Sequence, residues 1–402
     1  MVPEGWRITR LGKVVTISSG ESPSSFSFSQ AGKYPYVKVE DLNSDAKYLS
    51  RSRTFTDDER NPIPAGSIVF PKRGAAIATN KVRITSIPLY IDTNLMALRP
   101  NTDELDAEYL YYWIQHSRLF RIADTSSIPQ INNKHITPMQ IPLPRLEQQI
   151  EVRQLLSTWD RSIVTLEHLL QKKQQLKHGL MQQLLTGKRR FSEFVRSSAV
   201  QHTRFGSRPK EWPLRKIGGF AHEVIERNGS HGDWPVLSCT KHQGLVDSLT
   251  YFGKRIHSED TSHYKVVRRG QFAYATNHIE EGSIGLLSDR EAGLVSPMYT
   301  VFDCDKTVDP QFLFFLFKTE LYRHIFQATT NASVNRRGSL RWKQFSQLLV
   351  ATPSIEEQKK ITLCLGECDR ELALLHRQFD LLKIQKRGLM QKLLTGQVRV
   401  KV

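Results

Sequence analysis

The sequence predicts a mixed α/β (α+β) chain made of two pseudo-symmetric globular domains and two long coiled-coil helices. Three observations carry this. First, Gly179-Leu-Met-Gln-Gln-Leu-Leu-Thr-Gly187 returns as Gly388-Leu-Met-Gln-Lys-Leu-Leu-Thr-Gly396, eight of nine residues matching at an offset of 209. One echo of this length in 402 residues marks two halves of one molecule rather than a solenoid. Second, the segments leading into both echoes share an apolar heptad rhythm. Third, the stretch before each heptad run repeats one plan of strands, turns and helix caps.

Residues 1–143 and 207–352 are the two globular segments. Each opens on a tryptophan with a glycine six residues on, Trp6 and Gly12, then Trp212 and Gly218. In each, a glycine leads into an alternating strand, Gly66 to Phe70 and Gly270 to Tyr274. Short strand candidates surround these: Tyr36–Val39, Val82–Ile87, Ile284–Leu287 and Tyr299–Phe302. A helix then starts at Asp106 and again at Asp309, where Pro310 suits the first helical position.

Residues 144–190 and 353–402 are the long helices, with 191–206 as a polar, serine-bearing linker. The second helix carries Ile361, Leu365, Cys368, Leu372, Leu375, Phe379, Leu382, Lys386, Leu389 and Leu393, spaced four and three. The first carries Val152, Leu156, Trp159, Ile163, Leu166, Leu170, Lys173, Lys177, Leu180 and Leu184 in the same register. Such spacing predicts a mutual seam. Ser354-Ile-Glu-Glu357 reads as a capping box, and Gly187 and Gly396 as left-handed helix ends. Each helix should run about forty residues, roughly 60 Å. Off the seam, Leu155 and Leu169, with Leu185 and Leu394 near the ends, are candidate docking residues for a partner.

The net charge of +17 calls for a polyanionic partner, nucleic acid before membrane. Residues 145–190 hold nine basic against four acidic side chains and 354–402 ten against six. The four cysteines have no ligand or disulfide spacing and read as core filling. The N-terminus lacks a signal pattern and the longest apolar run, Phe312 to Phe317, is too short to span a bilayer, so a cytoplasmic, membrane-free protein is expected.

Base readout needs side chains that pair donors and acceptors on loops held by rigid elements, Arg or Lys for guanine and Asn or Gln for adenine. In the first segment these are Lys72 and Arg73 after a strand, and Asn132, Asn133, Lys134 and His135 ahead of the helix. The matching places in the second hold Asn277 and His278, then Asn335, Arg336 and Arg337, then Arg341 and Lys343. The polar chemistry recurs while the residues change, as two readers of different sequences require. Arg268, Arg269 and Lys188-Arg189-Arg190 suit phosphate contact. No catalytic or metal-binding residue is assigned. Amino-methylation, glycine-rich cofactor and Walker patterns are missing, and Glu357-Gln-Lys359 has nuclease-like spacing without a supporting aspartate.

The chain resembles the specificity subunits of type I restriction–modification systems. Ser127-Ile-Pro-Gln-Ile-Asn132, Ile141-Pro-Leu-Pro144, Leu146-Glu-Gln148 and the paired helix ends carry the resemblance, which covers essentially the whole chain. The resemblance implies that 1–143 and 207–352 are target-recognition domains, each gripping half of a bipartite site in double-stranded DNA, and that the helices pack antiparallel and set the spacing. It implies methyltransferase subunits that modify adenine at N6 with S-adenosylmethionine, and motor-nuclease subunits using ATP and magnesium. This chain would bind no cofactor and would not itself be catalytic. The second copy departs from the pattern at Val350-Ala-Thr-Pro353 and Val334-Asn-Arg-Arg337. Two other readings fit the same residues: a specificity subunit of a methylation-only complex, and a basic coiled-coil scaffold that binds DNA through charge alone.

Overall fold

A computed structural model describes residues 3–400 apart from 45, 125–127, 204, 205, 230–232, 242 and 332–338. The chain divides into two compact units, residues 1–168 with 376–402, and residues 169–375. Each unit therefore takes one half of each long helix.

In the first unit a five-stranded sheet runs in the order Val15–Ser19, Leu95–Pro100, Ile68–Pro71, Arg83–Thr85, Tyr48–Leu49. In the second, a four-stranded sheet runs Ala221–Val224, Tyr299–Cys304, Phe272–Ala275, Ile284–Leu286. The first four strands correspond one to one, all paired antiparallel, with Ile68 opposite Leu98 and Phe272 opposite Phe302. The strand before each sheet pairs with the strand that leads into the long helix: Arg7–Arg10 with Gln140–Leu143, and Leu214–Lys216 with Leu349–Ala351. These closing pairs join residues far apart in the chain.

A short helix covers each sheet. Asp106 accepts the Tyr109 amide at 2.9 Å to start Ala107–Ser117, and Asp309 accepts the Phe312 amide at 2.7 Å to start Pro310–Phe317. Such caps satisfy a helix-end donor that would otherwise be orphaned. The aromatic faces of these helices then fill the two cores, Tyr109 and Tyr112 in one, Phe312 and Phe317 in the other, all fully buried.

The long helices span Leu146–Leu184 and Ile355–Leu394. Val152 and Leu156 share a core with Met390, Leu393 and Leu394 in the first unit; Leu184 and Leu185 share one with Ile361 and Leu365 in the second. Ion pairs tie the halves together, Asp160 with Lys386 in the first unit, Lys177 with Asp369 and Lys173 with Glu371 (2.7 Å) in the second. Partners fall in number on one helix as they rise on the other, so the helices run antiparallel. Every heptad position named above is buried or half-buried, including Lys173, Lys177 and Lys386.

Both helices end in the same motif. Gly187 (φ +70°) and Gly396 (φ +75°) are left-handed, and the amides of Arg189 and Val398 reach back to the carbonyls of Gln183 and Lys392. A Cβ at Gly187 would collide with Pro209, and one at Gly396 with Pro3, so each helix end is pressed against the proline–tryptophan opening of a globular segment. The capping box is half realised: Ser354 accepts the Glu357 amide at 3.3 Å, but the Glu357 carboxylate turns to Arg190 and the Trp212 indole (3.1 Å). Within the stretch 191–206, Ser192–Phe194 forms one 3-10 turn and Val200–Thr203 pairs with Gly206–Pro209. Among the described residues no helix is long and apolar enough to cross a membrane. All four cysteines are free, and burial pushes the Cys239 and Cys304 thiols up to about 12.

Candidate nucleic-acid interface

In the first unit, folding brings the two sequence-predicted clusters together. The strand Ile68–Pro71 delivers Lys72 and Arg73 to a loop whose backbone pairs with the segment ahead of Asn132. The Ile131 amide donates to the Lys72 carbonyl and the Gly74 amide to the Pro129 carbonyl, both at 2.8 Å. Arg73 is exposed and Lys72 half-buried; burial lowers the Lys72 ammonium below its ordinary range, with Asp92 partly opposing this. Asn132 opens the short helix Asn133–Ile136, where its amide donates to His135 Nδ1 at 3.0 Å. That bond commits one ring nitrogen of His135 to the cap, while Asn133 and Lys134 are exposed.

The second unit repeats the arrangement. The Leu340 amide donates to the Thr276 carbonyl at 2.8 Å, and Arg341 opens the short helix Trp342–Phe345. Asn277, His278, Arg341 and Lys343 are all exposed. His278 lies 3.5 Å from Glu281, and with Glu280 these three bring metal-ligand-type atoms within 4.8 Å of one another on an exposed turn. Asn335, Arg336 and Arg337 lie outside the described residues, as does Ser127 of the Ser127–Asn132 motif.

Asn277, Arg341 and Lys343 line one cleft of about 710 Å³, together with Glu223, Lys265 and Met298. Those last three carry no sequence signal as readers, because they come from separate strands and a turn that only the sheet brings together. A second cleft of about 630 Å³, in the first unit, is lined by Arg118, Arg121, Lys383 and Arg387. Two of these lie on the second long helix, more than 260 residues from Arg121 in the chain.

Several expectations need correction. Arg190 is not a free phosphate contact: its side chain is 8% exposed and bonded to both carboxylate oxygens of Glu357 at 2.8 Å, and to Glu211. These carboxylates hold the guanidinium well above its ordinary pKa, Glu357 first. Glu357 is thus a buried structural anion, not a nuclease-like acid. Arg268 is paired with Glu226 at 2.6 Å. Leu185 and Leu394 are 2% and 1% exposed and fill the cores, while Leu155 and Leu169, at 38% and 41%, are open to a partner.

These loops are borne on a duplicated scaffold with basic, exposed tips, an arrangement suited to contact with nucleic acid. Residues 3–178 match the family described as the type I restriction modification DNA specificity domain. The type I restriction enzyme MjaVIII specificity subunit of Methanocaldococcus jannaschii is 24% identical over 429 residues, spanning 100% of this chain and 94% of its own. The putative MjaX specificity subunit of the same organism is 24% identical over 440 residues, 100% of this chain and 95% of its own. In fold, the chain is similar to the type I restriction-modification S subunit from M. genitalium (TM-score 0.56, 14% identity, 97% of this chain and 96% of that one). It is also similar to the HsdS subunit from Thermoanaerobacter tengcongensis (TM-score 0.54, 16% identity, 99% and 98%). The chain is thus similar along its whole length to specificity subunits of type I restriction enzymes, and its residues 3–178 match their specificity domain.

Proposed function

We propose that each unit's reading loops recognise one half of a bipartite site in double-stranded DNA, and that the paired helices set the distance between the halves. The observation that supports this most is the repeated loop pair. Lys72-Arg73 is bonded ahead of Asn132–His135, and Thr276-Asn277 ahead of Arg341–Lys343, by the same backbone hydrogen bond on the same strand order. The scaffold is kept while the base-reading chemistry changes, which is what two different half-sites demand.

In this reading the chain supplies recognition and its partners supply chemistry. Methyltransferase subunits would dock on the open apolar positions of the helices and carry S-adenosylmethionine to adenine N6; ATP and magnesium would belong to motor-nuclease subunits. Mapping N6-methyladenine across the genome with and without this gene tests it. A split motif present only with the gene is expected. Exchange of residues 1–143 for a relative's should then alter one half of that motif alone; alteration of both halves, or no split motif, contradicts the proposal.

A further inference from the structure

We propose that Glu223 reads the exocyclic amine of a cytosine in the half-site recognised by residues 207–352. This rests on the bipartite reading above and goes beyond it by assigning a residue and a base.

Glu223 is half-buried on the strand Ala221–Val224 and faces the 710 Å³ cleft that also holds Asn277, Arg341 and Lys343. It stands opposite Phe302 in the sheet, and the Phe302 ring lies 5.6 Å from Trp342, between Arg341 and Lys343. Its carboxylate makes no hydrogen bond or close ion pair with a described residue, and its attraction to Lys265 acts through space. Lys265 on the same wall gives its ammonium to the Tyr299 carbonyl at 2.6 Å instead.

An unpaired carboxylate on a DNA-facing wall repels phosphate, so phosphate cannot be its partner. What suits it is a hydrogen-bond donor on a base edge. In the major groove cytosine N4 and adenine N6 are such donors; adenine sets its amine beside the N7 acceptor, which a carboxylate cannot satisfy, so the N4 amine of cytosine is the fitting partner. The guanine paired with that cytosine presents N7 and O6, two acceptors matched by Arg341 or Lys343 at the same cleft. One C·G pair would thus be read on both strands. The corresponding strand position in the first unit, opposite Leu98, is Ile17. The acid therefore belongs to one reader only, as a sequence-specific contact should.

The test uses the complex of the full chain with its methyltransferase subunits. Duplexes carrying the methylated motif are prepared with pyrimidin-2-one, which lacks the N4 amine, in place of each cytosine in turn. Wild-type complex should lose about tenfold or more in affinity at one position of the half-site that responds to exchange of 207–352. Glu223→Ala, and the closer-shaped Glu223→Met, should bind the cytosine and pyrimidin-2-one duplexes alike at that position. Either variant that assembles decides the question, and a methylome carrying that variant should show the position relaxed with the other half-site unchanged. The assignment is overturned if no position is sensitive in the wild type, or if the variants keep the discrimination. Absence of any site-specific binding by the wild type would instead overturn the bipartite reading itself.

Discussion

The carboxamide of Gln149 accepts the backbone amide of Asp106 at 2.9 Å, and in the other unit Gln358 accepts that of Asp309 at 2.8 Å. Both glutamines are fully buried in the first turns of the long helices. Each also donates from Nε2 to two carbonyls, Gln149 to Glu104 (2.8 Å) and Pro144 (3.0 Å), Gln358 to Thr307 (3.3 Å) and Pro353 (2.9 Å). One side chain thus fixes the entry of the helix to the capping residue of the domain helix it packs against.

Replacing Gln149 with leucine strands an amide and removes a donor from two carbonyls in a dry site. Each buried unsatisfied group costs about 1–3 kcal/mol, so a loss of roughly 2–5 kcal/mol is expected. Urea denaturation of the purified assembly measures it; a change under about 0.5 kcal/mol contradicts the role given to this residue. Gln149→Glu should not rescue, because a carboxylate cannot donate to the two carbonyls.

Among the described residues, Glu357→Ala leaves Arg190 with Glu211 as its anionic partner and the Trp212 indole without its acceptor. Breaking a buried pair by removing one partner costs about 3–5 kcal/mol. We expect a thermal-denaturation deficit of that order, matched by Arg190→Ala. A normally stable variant would contradict the structural role given to this ion pair.

Arg73→Ala separates base contact from phosphate contact. A bidentate guanine contact predicts a loss of about 1–3 kcal/mol on the cognate site and relaxed discrimination at one position. Uniform weakening across sequences, with a shallower salt dependence, assigns Arg73 to the backbone instead.

The open apolar positions Leu169 and Leu176 lie a heptad apart on the first long helix, 41% and 52% exposed. Leu374 and Leu381 repeat that spacing on the second, at 68% and 48%. A glutamate at Leu176 should weaken methyltransferase docking at least about tenfold, the loss of one buried leucine contact, while leaving the melting temperature of the free chain nearly unchanged. Sedimentation of the mixed subunits reads the first and calorimetry the second. Undiminished docking would place the methyltransferase elsewhere.

Adding one heptad after Leu166 and one after Leu375 keeps the four-three seam and lengthens each helix by about 10 Å. That equals about three base pairs along the DNA axis, with about a third of a turn of groove rotation. The expected methylome shows either a spacer longer by about three pairs with unchanged half-sites, or no modification. Unchanged spacing at full efficiency would remove the helices from the role of ruler.

Much of this was legible in the chain because it depends on local chemistry. Heptad spacing marked the seam residues from Val152 to Leu184 and from Ile361 to Leu393, and these positions are buried or half-buried. Asp106 and Asp309 were readable as caps, and Gly187 and Gly396 as left-handed ends, because caps and positive φ restrict residue type at single positions.

Charge and polarity alone misplaced Arg190, Leu185 and Leu394. Whether an arginine meets solvent or Glu357, 167 residues away, is decided by how the end of one helix meets the start of the other. Glu223, Lys265 and Met298 gather in one cleft only because antiparallel pairing sets strands from distant parts of the chain side by side. The sequence by itself determined the repeat, the helical register and where elements begin and stop, since each follows from a few neighbouring residues. The tertiary structure alone decided which charges stay exposed, because solvation of a charge depends on neighbours that the chain order does not contain.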